Sequence, residues 1–280
     1  MIEERAYAKI NLTLDIVKKR DDGFHELESL MTFIDLFDDI IYTKNDDLVY
    51  DSNVVNENEI CLRIFDLLKE KYNISNVKIA NKKHIPTSAG LAGGSSDAAA
   101  TVRGLDRLFN LNLSILEKEE ICNIVGSDVT FCLNQKTAIC RGRGEKLEFL
   151  NFSFPEIPVL VIKPNFSIST PLVYKKFNMS MINKDKESKK SRVLEALKTN
   201  NIKLLEDNIF NDLLLASIKS SDNLSSFINE VSNYFNAKVF LSGSGPTVFL
   251  FKFDEDKVLK YQNIHKDYSI FKTNILNVVK

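Results

Sequence analysis

The order of apolar and polar residues predicts two β-strands in the amino-terminal half of the chain. From Ile10 to Ile16 every second residue is apolar, as in a strand with one buried face. Lys9 and Asn11 occupy the alternate positions, so their side chains should share the other face. A second alternating stretch, residues 76–81, leads directly into a glycine-rich run. The sequence therefore predicts a strand that delivers the chain to this run.

Apolar residues at helical spacing predict helices between and after these strands. Ser114 and Glu117 have the spacing of a capping box, and that helix should end near Gly126, directly before Asp128. The other predicted helices cover residues 58–71, a segment that begins near Ser95, residues 202–216 and residues 222–235.

The pattern changes near residue 151, where prolines begin to bracket a strand-like run, Val159 to Ile162. We therefore predict two domains, residues 1–151 and residues 152–280. Within the second, residues 183–192 (NKDKESKKSR) are expected to form a solvated loop, with a phosphate-attracting patch as the alternative.

Two strand-like runs near the carboxyl terminus, residues 238–241 and 247–251, are joined by SGSGP. Such a sequence is most often a hairpin turn. A second small-residue loop could also cover a bound ligand from the side opposite the glycine-rich run and so exclude water.

Composition narrows the classes of function. The 280 residues are 44% hydrophobic and 27% charged, which is typical of a globular protein. The net charge of −1 gives no general attraction to nucleic acid or to an anionic membrane. No apolar stretch reaches the roughly 18 residues of a membrane span, and the first residues do not resemble a signal peptide, so we predict a cytoplasmic protein. The four cysteines have no CxxC spacing, which argues against a zinc site.

The run IPTSAGLAGGSSDAAA, Ile85 to Ala100, has the features of a phosphate-binding loop. Small residues allow close backbone approach, and the following helix directs unpaired amides and its dipole at negative charge. Asp97 could cap this helix or help to hold magnesium. The run fits neither a Walker A loop nor a dinucleotide fingerprint, and its alternative interpretation is a structural turn before an alanine-rich helix.

The run resembles the phosphate-binding motif of the GHMP kinase superfamily, close to P-x-x-x-G-L-G-G-S-S-x-A. Three further pieces, AYAKINLTLDI, DDGFHELESLM and LSGSGPTVFLF, resemble its 4-diphosphocytidyl-2-C-methylerythritol kinase branch, and together they span residues 6–251. The resemblance implies an α+β fold of two domains. The amino-terminal domain would carry the phosphate loop, and the carboxyl-terminal domain would be ferredoxin-like.

The resemblance also implies an activity. The expected reaction is ATP-dependent phosphorylation of the 2-hydroxyl group of 4-diphosphocytidyl-2-C-methylerythritol, in the methylerythritol phosphate route to isoprenoid precursors. ATP and Mg²⁺ would be the cofactors, the partner a small molecule with a cytidine diphosphate group, and the protein a monomer or homodimer. The alternatives are a sibling kinase for another alcohol, such as mevalonate or homoserine, and a nucleotide-binding regulator without catalysis.

Site residues follow from the same resemblance, with no metal ligand assigned. Asp128 and Lys9 match the catalytic aspartate and lysine, although in isolation an aspartate at this place would be a helix cap and a lysine a surface ion pair. The residues expected to bind ATP are Pro86, Thr87, Ser88, Ala89, Gly90, Leu91, Ala92, Gly93, Gly94, Ser95 and Ser96, with Asn58 and Lys83 beside the adenine. The residues expected to bind the substrate are Asn11, Phe24, His25, Tyr174 and Lys175, of which Phe24 and His25 would recognise cytosine.

The motif departs from the family pattern at Ser88, Ala89 and Ala92, where many members have glycine. We expect φ below zero at all three positions, because side chains disfavour the left-handed region. Phe24 stands where tyrosine is frequent, which keeps the ring and loses a hydroxyl group.

Overall fold

The computed structural model describes residues 1–54 and 59–279. The chain divides into two compact units, each discontinuous in sequence. The first unit comprises Met1–Ala8, Leu36–Thr87 and Ala92–Lys136, and the second comprises Lys9–Asp35, Ser88–Leu91 and Thr137–Lys280. These units are defined by contacts, whereas the boundary at residue 151 was drawn along the sequence, and that boundary stays a prediction.

Strands and helices alternate along much of the chain. The strands are β1 (Ile2–Lys19), β2 (His25–Lys44), β3 (Val49–Ser52), β4 (Val77–Lys82), β5 (Ala138–Gly142), β6 (Lys146–Phe149), β7 (Ile157–Lys163), β8 (Phe210–Asn211), β9 (Phe240–Leu241), β10 (Val248–Leu250) and β11 (Ser269–Leu276). The helices are α1 (Glu59–Tyr72), α2 (Gly93–Phe109), α3 (Ile115–Val125), α4 (Ser127–Asn134), α5 (Thr170–Lys176), α6 (Lys186–Thr199), α7 (Ile202–Asn208), α8 (Leu214–Ser220), α9 (Asp222–Phe235) and α10 (Glu255–Ile264), with a 3₁₀ turn at Met179–Met181. Within the described ranges, no helix has the length and apolar character to cross a membrane.

In the first unit, helices pack beside a short stretch of sheet. The end of β2 pairs antiparallel with β4, with Thr43 opposite Lys78, and β3 joins β4 in parallel. Helix α2 packs against α1, α3 and α4. A Cβ atom on Gly104 would lie 2.4 Å from a ring carbon of Tyr42, so only glycine allows α2 this close approach to β2.

In the second unit, β11 lies between two antiparallel neighbours. It pairs with β7 from Ser269 opposite Lys163 to Ile275 opposite Ile157, and with β2 at Ile275 opposite Ile34. The order continues from β7 to β10 and β9, while β5 pairs with β2 and β6, and β8 runs parallel to β1. Apolar residues from β1, β7, β10 and helices α5, α8, α9 and α10 form the core of this unit.

Most elements predicted from periodicity are confirmed. Helix α3 has both hydrogen bonds of the capping box between Ser114 and Glu117, and it ends before Gly126. Helices α1, α2 and α9 begin within two residues of their predicted starts. The prediction of one helix over residues 202–216 is wrong, because this segment contains two helices, α7 and α8, separated by the short strand β8.

Strand β1 differs from the prediction of a half-buried strand. Every residue from Ala6 to Ile16 is buried, including the polar set that should have faced water. The reason is that each polar side chain finds a partner, for example Asp15, which pairs with Lys186 and Lys190. Burial of a charge is tolerated when it is paired in this way.

The solvated loop predicted at residues 183–192 is also wrong. Helix α6 begins at Lys186, and Lys190 lies one turn later on the same face. Both ammonium groups reach the two carboxylate oxygens of Asp15, at 2.7 and 3.1 Å. The lysines that suggested a loop therefore attach a helix to a buried acid.

Candidate active site

The glycine-rich run ends at the amino terminus of α2, in the first unit. Ala92 is the residue before the helix, and Gly93 and Gly94 are its first two positions. No side chain caps this terminus and its first turn has no acidic residue. The amides of a first helical turn lack partners in the helix, and the dipole favours negative charge, so this end suits a phosphate group.

The backbone of the loop uses the left-handed region more than expected. Ser88 has φ 49° and Ala92 has φ 58°, as Gly90 does with φ 74°. The prediction of negative φ is therefore wrong for Ser88 and Ala92, and Ala89 is not among the residues with positive φ. A residue other than glycine in the left-handed region costs about 1 kcal/mol. The loop keeps this conformation at Ser88 and Ala92 because it sets the direction in which the chain enters α2.

In the second unit, the segment Ser242–Pro246 packs against Gly90. The hydroxyl of Ser242 donates to the carbonyl of Gly90 at 3.0 Å. A Cβ atom on Gly90 would lie 2.5 Å from the carbonyl oxygen of Ser242, so a side chain would separate the two segments. The SGSGP segment joins the paired strands β9 and β10, as a hairpin turn would, and it also supports the phosphate loop.

Lys9 and Asn11 lie beside the same segment. Both are only 4% exposed, and Nζ of Lys9 donates to Oδ1 of Asn11 at 2.9 Å. The backbone amide of Lys9 donates to the carbonyl of Leu91 at 3.0 Å, and a Cβ atom on Gly243 would lie 3.5 Å from Nζ. A surface ion pair, the alternative role for Lys9, is therefore excluded by its burial.

Asp128 occupies the first turn of α4, in the first unit. The residue before this helix is Gly126, so Asp128 is not the helix cap that was the alternative for it. Its side chain is half-buried, and α4 packs against α2. Its carboxylate therefore lies at an end of α4 where the backbone amides lack partners within the helix.

Two of the aromatic residues predicted to bind the base lie together in the second unit, and their role in base binding stays a prediction. The rings of His25 and Tyr174 are stacked, with centroids 5.3 Å apart and an interplanar angle of 29°. The ring of Phe24 is 55% exposed and lies 4.7 Å from the guanidinium carbon of Arg143, while Lys175 is exposed. Burial, together with the charge of Lys19, lowers the pKa of His25, so its imidazole is neutral near pH 7.

A buried ionic group supports the entrance to the loop in the first unit. Nζ of Lys83 donates to Oδ2 of Asp38 at 2.6 Å and to Oδ2 of Asp97 at 2.5 Å. The other oxygen of Asp38 accepts from the backbone amides of His84 and Ile85. Sequence analysis missed Asp38, although it lies between the buried Leu36 and Ile40 at alternate positions of a strand, which is the available signal.

Burial controls the protonation of this group. It raises the pKa of Asp97 to about 7; the ammonium of Lys83 acts against the rise and the charge of Asp38 adds to it. Burial also disfavours the charge of Lys83, but the carboxylates of Asp97 and Asp38 outweigh it and raise the pKa of the amine. Lys83 therefore stays charged between two acids.

Some predicted roles change with these contacts. Asp97 does not cap α2, because its carboxylate is buried against Lys83 and not open to hydrated magnesium. The hydroxyl of Ser96 donates to the carbonyl of Tyr7 at 2.7 Å, so it is engaged inside the unit. The adenine contact of Lys83 stays a prediction, and Asn58 lies outside the described residues.

Comparison with known proteins decides the family. Residues 59–136 match the model for the GHMP kinases N terminal domain. A 4-diphosphocytidyl-2-C-methyl-D-erythritol kinase from a Thermoanaerobacter species is 39% identical over 274 residues, covering 96% of this chain and 93% of the relative. The chain belongs to the 4-diphosphocytidyl-2-C-methyl-D-erythritol kinase family. It is therefore a kinase, as the motifs predicted.

Solved structures agree with this family. A crystal structure of 4-(cytidine 5′-diphospho)-2C-methyl-D-erythritol kinase is similar with a TM-score of 0.82 and 26% identity, over 98% of this chain and 99% of that one. A mevalonate kinase from L. major, with a TM-score of 0.74 and 16% identity over 100% of this chain and 97% of that one, shares the fold. The α+β GHMP kinase fold predicted from the motifs is thus confirmed.

The buried carboxylate gives this family member a testable pH dependence. The pKa of Asp97 in the folded state, about 7, lies above its ordinary value of 3.8. The folded state therefore binds this proton more tightly than the unfolded state. The resulting stabilisation of the fold is fully present below pH 3.8 and is lost as the pH rises through 7. We expect the free energy of unfolding, measured by urea titration, to fall as the pH rises from 5 to 8. This fall should be larger in the wild type than in Asp97→Asn, by on the order of 1 kcal/mol.

The matched control is Asp222→Asn, an exposed acid in the first turn of α9. It should keep the pH dependence of the wild type. Equal pH dependence in Asp97→Asn and the wild type would show that Asp97 titrates normally.

Proposed function

We propose that the protein transfers the γ-phosphoryl group of ATP to the 2-hydroxyl of 4-diphosphocytidyl-2-C-methyl-D-erythritol, in the methylerythritol phosphate route to isoprenoid precursors. The observation that carries the proposal is similarity over nearly the whole length to relatives named for this substrate. The aromatic pair of His25 and Tyr174 suits the base of that substrate. A cytoplasmic location and a monomer or homodimer stay predictions from sequence.

The amides of the glycine-rich run would hold the polyphosphate of ATP. Support comes from the uncapped amino terminus of α2 and from Gly90, whose lack of a side chain permits close packing. Mg²⁺ bound to the phosphates would neutralise part of their charge. Within the described residues, no group of three or more acids, histidines or cysteines is arranged to hold a metal ion, so no metal ligand is assigned.

Asp128 would accept or orient the proton of the acceptor hydroxyl. A carboxylate in the first turn of a helix can accept a hydrogen bond from an alcohol. Lys9 would stabilise negative charge on the transferred phosphoryl group, since its buried ammonium is positioned before the reaction. Asn11, the partner of Lys9, would help to position the substrate.

The cytosine would be recognised by stacking and hydrogen bonds. A neutral imidazole has one donor and one acceptor nitrogen, so His25 can bond to the base. Phe24 and Tyr174 would provide ring surfaces, since aromatic faces stack on bases of any type. Lys175, exposed on α5, would lie near the negative diphosphate, and it is the least constrained member of the set.

An ADP-release assay tests the proposed substrate. The purified protein, ATP and Mg²⁺ are incubated with the cytidine diphosphate ester, with mevalonate or with homoserine. We expect kcat/KM for the cytidine ester to exceed the others by at least about 10², because the base-binding site would be empty with the smaller alcohols. Preference for mevalonate or homoserine would indicate the sibling kinase, and no dependence on any alcohol would indicate a regulator.

A further inference from the structure

A chain of hydrogen bonds begins at Lys9 and runs within the second unit. Nζ of Lys9 donates to Oδ1 of Asn11 at 2.9 Å, and Nδ2 of Asn11 donates to the hydroxyl of Ser29 at 2.8 Å. The hydroxyl of Ser29 then donates to the backbone carbonyl of Thr13 at 2.6 Å. All four residues are at most 4% exposed, so water does not compete readily for these groups.

The chemistry of the groups fixes the direction of this chain. A carbonyl oxygen cannot donate, so the single proton of Ser29 is committed to Thr13. The hydroxyl oxygen can then only accept, and the side of the Asn11 amide that faces Ser29 must be its NH₂ group. Oδ1 of Asn11 therefore faces Lys9, where it accepts a hydrogen bond from the ammonium.

Thr13 is itself held in place. Its hydroxyl accepts from the backbone amide of Leu30, in β2 next to Ser29, at 3.0 Å. The carbonyl that orients Ser29 thus belongs to a residue of β1 that is hydrogen-bonded to β2. The chain ends on backbone and not on a mobile side chain, as an effective positioning group requires.

We propose that Ser29 is a positioning residue, which sets the orientation of the Asn11 amide and, through it, the position of the Lys9 ammonium. The proposal rests on the catalytic role of Lys9 in the proposed function. Ser29 is buried and would not touch the substrate. Without its hydroxyl, the amide of Asn11 can rotate and present NH₂ to the ammonium, which would repel it and remove its acceptor.

Ser29→Ala tests this inference in the complete protein. We expect kcat to fall roughly tenfold, because the buried hydrogen bond between Asn11 and the charged Lys9 ammonium would be lost. The KM for ATP should change less than about twofold. Ser29→Thr keeps the hydroxyl and should recover most of the activity. The control is Ser232→Ala, which removes a hydroxyl in α9 that donates to the carbonyl of Ala237 just beyond the end of that helix, and it should leave kcat unchanged.

Hydrogen exchange gives a second measurement, made on the wild-type protein, that does not depend on catalysis. In the wild type, the Asn11 NH₂ hydrogens should exchange at least about tenfold more slowly than those of the exposed Asn112, by NMR with ¹⁵N-labelled asparagine. The Asn11 signal is assigned by its loss in Asn11→Asp. Exchange as fast as in Asn112 would overturn the inference.

Failure of this inference can be told apart from failure of the proposed function. If Ser29→Ala keeps both turnover and slow exchange of the Asn11 amide, while replacing Lys9 abolishes turnover, Ser29 has no positioning role and the proposed function stands. If replacing Lys9 leaves turnover intact, the role assigned to Lys9 is wrong whatever Ser29 does.

Discussion

Replacing Asp128 by asparagine is expected to lower kcat by about 10² or more, with little change in the fold or in the KM for ATP. Asparagine keeps the shape of the side chain and removes the negative charge that would accept or orient the acceptor proton. Asp128 is half-buried in the first turn of α4 and is not the cap of that helix, so asparagine should leave the start of the helix in place. The measurement is steady-state ADP release with the cytidine diphosphate ester, together with thermal unfolding.

Asp222→Asn is the matched control, because it makes the same change in the first turn of α9, at an exposed position. It should retain the turnover of the wild type. If the turnover of Asp128→Asn is within threefold of that of the wild type, the catalytic role proposed for Asp128 is wrong.

Lys9→Met should also lower kcat, by about 10², since removing a preorganised charge-stabilising group typically has this effect. Methionine keeps most of the buried volume of lysine and removes the ammonium, so the loss is electrostatic. Oδ1 of Asn11 loses its donor, and some loss of stability is expected as well. Single-turnover measurements with saturating ATP separate the chemical step from binding.

The control for Lys9 is Lys78→Met, which removes an ammonium that is 45% exposed and pairs with Asp51 at 3.4 Å. Such a surface pair contributes little, so activity and stability should stay close to those of the wild type. Loss of ATP binding in Lys9→Met with an unchanged chemical step would assign Lys9 to nucleotide binding.

Local sequence signals predicted much of the fold. The capping box of α3 is visible in two residues, Ser114 and Glu117, because each satisfies the other at short range. The glycine-rich run and the start of α2 were likewise predicted, because small residues directly before a helix indicate an open helix amino terminus. Both signals depend on neighbours in sequence, and the structure has them where the sequence placed them.

Contacts between distant residues could not be predicted in this way. The lysines of residues 183–192 indicated a loop because no sequence rule shows that Asp15 is buried beneath them. The positive φ of Ser88 and Ala92 depends on how the loop enters α2 and not on the preference of either residue. Tertiary packing overrides local preference at both places.

The candidate site shows the same division. Lys9 and Asn11 were expected on one strand face, and alternation was enough to pair them. Asp38 and Ser29 were missed, since each matters through a partner at least 16 residues away. Residues that resemble a family motif were found, whereas those that hold the motif in place were not.

We propose that backbone amides of the glycine-rich run hold the phosphates of ATP. Titration of the ¹⁵N-labelled protein with a nonhydrolysable ATP analogue and Mg²⁺ tests this binding, through the amide shifts of Gly90, Gly93 and Gly94. We expect large, saturable shifts at these glycines and small ones at Gly23, which lies outside the run. Saturable binding of the analogue that leaves all three glycine signals unmoved would contradict it.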